Sequence, residues 1–145
     1  ISKGERNPQN LIPVIFESLV KNKGIRVFGG DYSTDDGTCV RDYIHVCDLA
    51  EAHIKVLEYI THKQKNIVLN LGSEKGYSVK EVIEEVENTC NVKAVYKIFE
   101  RRKGDADIII AKSEMAKKYI TWEPKFSDLS TIIKSTANVY TPFFL

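Results

Sequence analysis

The chain contains 145 residues, of which 43% are hydrophobic and 28% are charged, and this composition fits one globular domain with a modest core. Its 21 Lys and Arg residues nearly balance its 20 Asp and Glu residues, so long-range attraction to nucleic acid or to an acidic membrane surface is not expected. The longest purely apolar run, 108–111, is far shorter than the roughly 18 residues that span a bilayer. We therefore expect no nucleic-acid partner and no membrane segment.

The cysteines indicate a reducing compartment. Cys39, Cys47 and Cys90 are odd in number and lack the spacing of a disulfide framework or a metal site. We interpret them as small apolar side chains of a cytoplasmic protein, and we expect no metal. The chain begins at Ile1 without a targeting segment, which suggests the later part of a longer polypeptide.

The first third of the chain predicts one helix and two short strands. Four apolar residues recur at helical spacing, and Gly24 marks the expected C-terminal end of this helix. A short apolar strand follows at 27–28, then a polar loop through Thr38, and then an alternating strand over 43–46. The helical apolar positions are Leu11, Val14, Ile15 and Leu19.

The middle of the chain predicts a helix over 49–60 and a strand over 66–71. Asp48 and Glu51 form an acidic variant of a capping box. His53 lies on the apolar stripe of this helix, where a hydrogen-bonded core histidine is more common than a catalytic base. The 66–71 run is too apolar for an exposed edge strand. We therefore expect it to pair with a sheet outside this chain or to leave an exposed apolar surface that is prone to association.

The last part of the chain predicts three further helices and a strand. Ser78 and Glu81 repeat the capping signal before a helix with apolar residues from Val79 to Cys90. A strand over 94–99, a short helix over 112–119 and a last helix capped by Ser127, ending before Pro142, complete the pattern. The alternation of predicted helices and strands along the chain indicates an α/β fold with α+β character, in one domain over 1–145.

Several common catalytic patterns are missing or weak. A dinucleotide site needs a Gly-rich turn between a strand and a helix, but Gly29-Gly30 is followed by a polar loop. The aspartates of that loop lack the alternation and the closing Glu of a calcium loop. Tyr59 and Lys63 have the spacing of an oxidoreductase pair, yet they fall at a basic helix end. No catalytic residue is assigned.

The arginines are the strongest chemical signal. Arg41 and the pair Arg101-Arg102 come from distant segments, and two planar guanidinium groups that converge could clamp a diphosphate. Surface ion pairs are the alternative, favoured on composition alone. Asp105 could accept hydrogen bonds from a sugar hydroxyl or pair with a neighbouring arginine, and Phe28 could stack on a base or belong to the core.

The segment 28–46 closely resembles the substrate-domain signature of the UDP-glucose (UDP-galactose) 4-epimerase family. It reads Phe-Gly-Gly-Asp-Tyr-Ser-Thr-Asp-Asp-Gly-Thr-Cys-Val-Arg-Asp-Tyr-Ile-His-Val. It is flanked, in the family's order, by motifs at 10–13, 70–72 and 101–105. The Asp-Tyr-Ser-Thr-Asp-Asp-Gly-Thr stretch separates this family from related nucleotide-sugar enzymes of the extended short-chain dehydrogenase/reductase superfamily.

The resemblance implies a set of substrate contacts. Arg41 and Arg102 are similar to the family's diphosphate clamp, and Phe28 lies along the uridine site. Arg26 falls where the family's backbone meets the uracil, so its side chain is not implicated. Ile109, smaller than the Tyr that excludes N-acetyl hexosamines, implies acceptance of UDP-GlcNAc and UDP-GalNAc. The other implied contacts are Asn10, Leu11, Tyr43, Val79 and Asp105.

The family's reaction also implies what this chain lacks. Bound NAD takes a hydride from the sugar C4 and a Tyr activated by Lys takes the hydroxyl proton, and these groups belong to a Rossmann-like N-terminal portion that the resemblance places before residue 1. The chain alone is then expected to bind a UDP-sugar without turnover, and the full-length enzyme to be a homodimer. A non-catalytic nucleotide-sugar-binding module, and the substrate domain of a related dehydratase, decarboxylase or reductase, are the alternatives.

Overall fold

The structure is a computed structural model that describes residues 8–140, and these form a mixed α/β fold. No helix within this range is long and apolar enough to cross a membrane. The helices are α1 (Leu11–Val20), α2 (Val46–Lys63), α3 (Val79–Cys90), α4 (Glu114–Ile120) and α5 (Leu129–Tyr140). The strands are β1 (Ile25–Phe28), β2 (Val40–Asp42), β3 (Gly76–Ser78), β4 (Tyr96–Phe99) and β5 (Ile108–Ile109).

Two small sheets carry the strands. In the first sheet β1 pairs with β4 in parallel, which sets Phe28 opposite Phe99. In the second sheet β2 lies in the centre, antiparallel to β3 and parallel to β5. Arg41 is therefore flanked by Tyr77 on one side and by Ile109 on the other.

The main core lies between α1, α3 and α5. Ile15 and Phe16 of α1 are fully buried, and so are Val82 and Ile133. The ring of Phe16 stacks on that of Tyr140, with centroids 5.0 Å apart. Each such side chain contributes about 1.5–3 kcal/mol on burial, so this core fixes α1 and α3 beside β1.

A second cluster surrounds Trp122, between α2 and α4. Trp122 is fully buried against Ala52 of α2 and Ala116 of α4. Its indole Nε1 donates a hydrogen bond to the Asp48 carbonyl oxygen at 2.9 Å. This bond satisfies the polar end of an otherwise apolar side chain.

The capping box at the start of α3 is confirmed. The Ser78 hydroxyl accepts a hydrogen bond from the Glu81 amide at 3.1 Å, and the Glu81 carboxylate accepts one from the Ser78 amide at 2.6 Å. The same hydroxyl donates to the Asp36 carboxylate. Ser78 therefore holds the polar loop of 29–39 against the start of α3.

The predicted strand over 43–46 is wrong, because the strand lies at Val40–Asp42. Val40 and Arg41 have strand partners on both sides and Asp42 has one on β3, and the chain then leaves the sheet to begin α2 at Val46. His45 caps this helix, since its Nδ1 accepts a hydrogen bond from the Cys47 amide at 3.1 Å. The predicted cap at Asp48 is therefore also wrong, and α2 extends beyond 49–60 at both ends.

Three other predictions need correction. Residues 66–71 form no strand, because no described strand lies beside them. His53 is exposed, and its Nδ1 contacts the Leu49 carbonyl oxygen at 2.7 Å, so it is not a core histidine. The last helix is capped by Asp128, whose carboxylate accepts from the Thr131 amide at 2.9 Å, and not by Ser127. The predicted end before Pro142 lies outside the described residues.

Candidate functional site

An open cleft of about 520 Å³ lies where α1, β1, β2, the start of α3 and the turn after β4 meet. Seven of the nine residues that the sequence predicts as substrate contacts line it. Its charged lining groups are three guanidinium groups and one carboxylate, so the cleft favours an anion. The seven are Leu11, Phe28, Arg41, Tyr43, Val79, Arg102 and Asp105.

Arg41 is held rigidly at the centre of β2. Its guanidinium donates to the Val40 carbonyl oxygen at 2.6 Å and to the Ala106 carbonyl oxygen at 2.8 Å, and it forms an ion pair with the Asp105 carboxylate. The ion pair that the sequence left as an alternative is therefore present. The ion pair with Asp105 also fixes the orientation of the Arg41 guanidinium group in the cleft. A guanidinium group held in this way presents a planar set of N–H donors that matches the oxygens of a phosphate group.

A tight turn places Asp105 and Arg102 at the same cleft. The Asp105 amide donates to the Arg102 carbonyl oxygen at 3.2 Å, and Gly104 between them has φ +81°. A turn with positive φ at its third residue favours glycine, which has no Cβ to strain the backbone. The second oxygen of the Asp105 carboxylate accepts a hydrogen bond from the Tyr32 hydroxyl at 3.3 Å.

Phe28 is surrounded by cations. The Arg102 guanidinium carbon lies 4.3 Å from the centroid of the Phe28 ring, and that of Arg26 lies 5.1 Å away. Arg26 also lies 4.6 Å from the ring centroid of Phe99. Arg26 lines the cleft and its side chain contacts both rings, whereas the resemblance implicated only its backbone. Its alternation with Phe28 along β1, which puts both on one face of the strand, is the sequence signal for this position.

Tyr43 and Cys39 form the less polar wall of the cleft. Burial raises the pKa of the Tyr43 phenol to about 12, and burial also raises the pKa of the Cys39 thiol. Both groups therefore remain protonated at neutral pH. Neither carries negative charge that would oppose an anion in the cleft, and no sequence pattern had assigned Cys39 to it.

Asn10 lies beside the cleft rather than in its lining. It precedes α1, its side chain makes no capping hydrogen bond, and the first turn of α1 holds no acidic residue. It lines a neighbouring open cleft of about 400 Å³ that shares Leu11 and Tyr43 with the first. The start of α1 therefore borders both clefts.

Ile109 is the other predicted contact outside the lining. It is half exposed on the edge strand β5, directly opposite Arg41. Residues that face each other across paired strands project from the same face of the sheet, so Ile109 neighbours Arg41 there.

The neighbouring residues Arg101 and Arg102 make different contacts. Arg102 faces the cleft, whereas Arg101 donates to the Asp31 carboxylate at 2.7 Å and lies 4.0 Å from the centroid of the Tyr32 ring. The hydrogen bond from Arg101 lowers the pKa of the Asp31 carboxyl. Arg101 therefore orders the polar loop.

The described residues do not fit a dinucleotide. The glycines after β1 lead into the polar loop and then into β2, so no helix N-terminus follows them that could receive a pyrophosphate. Within 8–140 no three His, Cys, Asp or Glu side chains are grouped as metal ligands are.

Comparison with known proteins agrees with this geometry. Residues 2–72 match the NAD dependent epimerase/dehydratase family. A UDP-glucose 4-epimerase of Rhizobium meliloti is 40% identical over 88% of this chain, which spans 39% of that relative. The crystal structure of UDP-glucose-4-epimerase from Stenotrophomonas maltophila with bound NAD and formylated UDP-arabinopyranose is 35% identical over 97% of this chain and 42% of its own, with a TM-score of 0.89. The Bifidobacterium longum UDP-glucose 4-epimerase in complex with NAD+ and UDP is 37% identical over 93% of this chain and 40% of its own, with a TM-score of 0.83.

Residues 2–72 of the chain are therefore similar to the NAD dependent epimerase/dehydratase family. Most of the chain is also similar to a portion of the UDP-glucose 4-epimerases, and it spans about two fifths of the length of the relatives it matches.

Proposed function

We propose that this chain is the UDP-sugar-binding portion of a UDP-glucose 4-epimerase, which interconverts UDP-glucose and UDP-galactose through a 4-keto intermediate. The observation that carries the proposal is the convergence of Arg41, Arg102 and Phe28 on one cleft. The cleft volume of about 520 Å³ lies within the range of about 300–1,000 Å³ that is usual for small-molecule sites.

The diphosphate is assigned to the arginines and the start of α1. Arg41 is held in place by Asp105 and two carbonyl oxygens, and Arg102 lines the same cleft from the turn after β4. The N-terminus of α1 adds amide donors and a partial positive charge with no acidic side chain to oppose it. Asn10 and Leu11 belong to this end of the site.

The uracil is assigned to Phe28 and β1, and the sugar to the region beyond Arg41. Phe28 offers an aromatic face, and Val79 and Tyr43 supply apolar walls. Ile109 lies beyond Arg41 on the same face of the sheet, next to where a sugar on the diphosphate would extend. Its small side chain leaves room for an N-acetyl group on that sugar.

The chemistry of the reaction is assigned to the rest of the complete enzyme. NAD supplies reversible hydride transfer when bound, and the described residues do not fit it, so we place its binding and the proton-transferring groups outside this chain. The chain's own task is to bind and orient the UDP part of the substrate. We also expect the complete enzyme to be a homodimer.

Steady-state turnover of UDP-galactose by the full-length protein tests the proposal. Because Arg102 is exposed and faces the cleft, Arg102→Ala is expected to raise KM about tenfold or more, with a smaller change in kcat. The matched control is Lys103→Ala, which removes one charge from the same turn outside the cleft lining and should leave KM unchanged. Equal KM values for the two variants, or no turnover of UDP-galactose by the wild type, would contradict the proposal.

A further inference from the structure

The guanidinium group of Arg102 covers one face of the Phe28 ring. At 4.3 Å from the ring centroid, the guanidinium carbon is in contact with the ring. A second planar group stacking at the same place must displace it. The Arg26 guanidinium, at 5.1 Å, is shared with Phe99 and lies farther from Phe28.

Arg102 is held by little besides this stacking. It is exposed, and within residues 8–140 no ion pair connects it to a carboxylate. Arg41, by contrast, is fixed by Asp105 and two carbonyl oxygens. A cation–π contact at an exposed site is weaker than a charge-assisted hydrogen bond to a phosphate, so a phosphate in the cleft competes successfully for Arg102.

We propose that Arg102 is a specificity-determining gate: it closes the base end of the cleft by stacking on Phe28, and it opens when a phosphate of the ligand takes its guanidinium. This inference rests on the proposed function and deepens it, because it concerns how the same site selects its ligand. A nucleoside must displace Arg102 and gives it no new partner, whereas a nucleoside diphosphate supplies that partner in the same step.

The proposal predicts opposite effects of one substitution on two ligands. Arg102→Ala weakens binding of UDP about tenfold or more, because a charge-assisted contact is lost. The same substitution strengthens binding of uridine roughly threefold to tenfold, because the Phe28 face no longer has to be uncovered. A residue that is only a phosphate ligand would change UDP binding and leave uridine binding as it was.

The test uses the full-length protein, with calorimetry for UDP and ligand-observed NMR titration for uridine. Lys103→Ala is the matched control and should change neither affinity, since Lys103 lies in the same turn without lining the cleft. Arg102→Gln keeps most of the side chain and serves as a second variant if Arg102→Ala folds poorly. In a Phe28→Leu background, which removes the ring, Arg102→Ala should no longer strengthen uridine binding.

The outcomes separate the two proposals. If UDP binding falls in Arg102→Ala while uridine binding is unchanged or also falls, the gate is refuted and the UDP site stands. If Lys103→Ala reproduces the effects of Arg102→Ala, long-range charge explains them and the gate is again refuted. If the wild type binds no UDP, the proposed function fails and the gate fails with it.

Discussion

At the scale of single residues, the cleft combines fixed and movable cations. Arg41 is anchored by Asp105 and two carbonyl oxygens, whereas Arg102 contacts the face of Phe28. Guanidinium chemistry singled out Arg41 and the Arg101-Arg102 pair, with ion pairs as the alternative, and the family resemblance selected Arg102 from that pair. Neither showed that Arg102 contacts an aromatic ring, because that contact joins segments that lie far apart in the chain.

Tyr43 should make the stability of the protein sensitive to alkaline pH. Burial raises its pKa to about 12, above the ordinary value of about 10, so the folded state keeps a proton that the unfolded chain loses. The contribution of Tyr43 is full below pH 10 and is lost as the pH rises towards 12. Urea unfolding of wild type and Tyr43→Phe at pH 9 and at pH 11.5 should show a larger fall in unfolding free energy for the wild type.

Tyr119→Phe is the control for this measurement, because Tyr119 is 40% exposed. The free energy of unfolding of Tyr119→Phe should depend on pH in the same way as that of the wild type. An identical pH dependence in Tyr43→Phe and in the wild type would contradict the assignment of a buried, protonated phenol to Tyr43.

Ile109 should determine the tolerance for an N-acetyl group on the sugar. It lies beside Arg41 on the same face of the sheet, and its side chain is smaller than a tyrosine ring. Full-length wild type is expected to turn over both UDP-glucose and UDP-GlcNAc, and Ile109→Tyr to lose UDP-GlcNAc turnover at least tenfold more than UDP-glucose turnover. Equal ratios of kcat/KM for the two substrates before and after the substitution would refute this role.

At the scale of elements, Asp48 connects the start of α2 with the start of α5. It is fully buried, and its carboxylate accepts hydrogen bonds from the amides of Lys125 and Phe126 at 3.0 and 2.8 Å and from the Ser127 hydroxyl at 2.6 Å. Burial alone would raise the pKa of this carboxyl, but these hydrogen bonds outweigh it and lower the pKa. The folded state therefore favours the carboxylate.

Asp48→Ala should lower the free energy of unfolding by about 3 kcal/mol, because it leaves buried donors without an acceptor. In the wild type the stabilisation is present above the ordinary carboxyl pKa of about 4 and is lost as the pH falls below it. Asp48→Asn should therefore show a shallower loss of stability than the wild type between pH 5 and pH 2 in urea unfolding. The exposed Asp35→Asn serves as control, and a slope in Asp48→Asn as steep as that of the control would contradict the account.

The elements also show where sequence patterns succeed. The capping box of α3 was predictable because Ser78 and Glu81 act within one turn of helix. The 43–46 strand was wrong because alternation alone does not reveal which residues have partners on both sides, and β2 pairs three residues earlier. Residues 66–71 form no strand within the described chain, which provides no neighbouring strand there, and their pairing with a sheet outside this chain stays a prediction.

At the scale of the whole molecule, several large apolar side chains are exposed. Ile54 and Leu57 of α2 are 60% and 66% exposed, and Val68 is 94% exposed. The sequence predicted an apolar stripe along this helix, which includes Leu57. Within the described chain, the face of α2 that carries Ala52 is buried against Trp122 and α4. Under the proposal that this chain is part of a longer epimerase, the rest of that enzyme would cover the remaining apolar surface.

The cleft, by contrast, lies between five segments of the described chain. α1, β1, β2, α3 and the turn after β4 all contribute to it, and the main core between α1, α3 and α5 supports it. The family resemblance predicted seven of its fifteen lining residues, whereas Cys39 and the side-chain position of Arg26 emerged only from the folded arrangement. The central claim is accordingly that the cleft of this chain recognises the UDP part of the substrate by itself.

Calorimetric titration of the 145-residue chain with UDP-glucose tests that claim most directly. We predict saturable binding of UDP-glucose with one site per chain, and binding of UMP to the same site with lower affinity. The Arg41→Ala/Arg102→Ala double variant should bind neither ligand. Circular dichroism checks that the wild-type chain and the double variant are both folded. No saturable binding by the folded wild-type chain, or binding that survives in the double variant, would contradict the account.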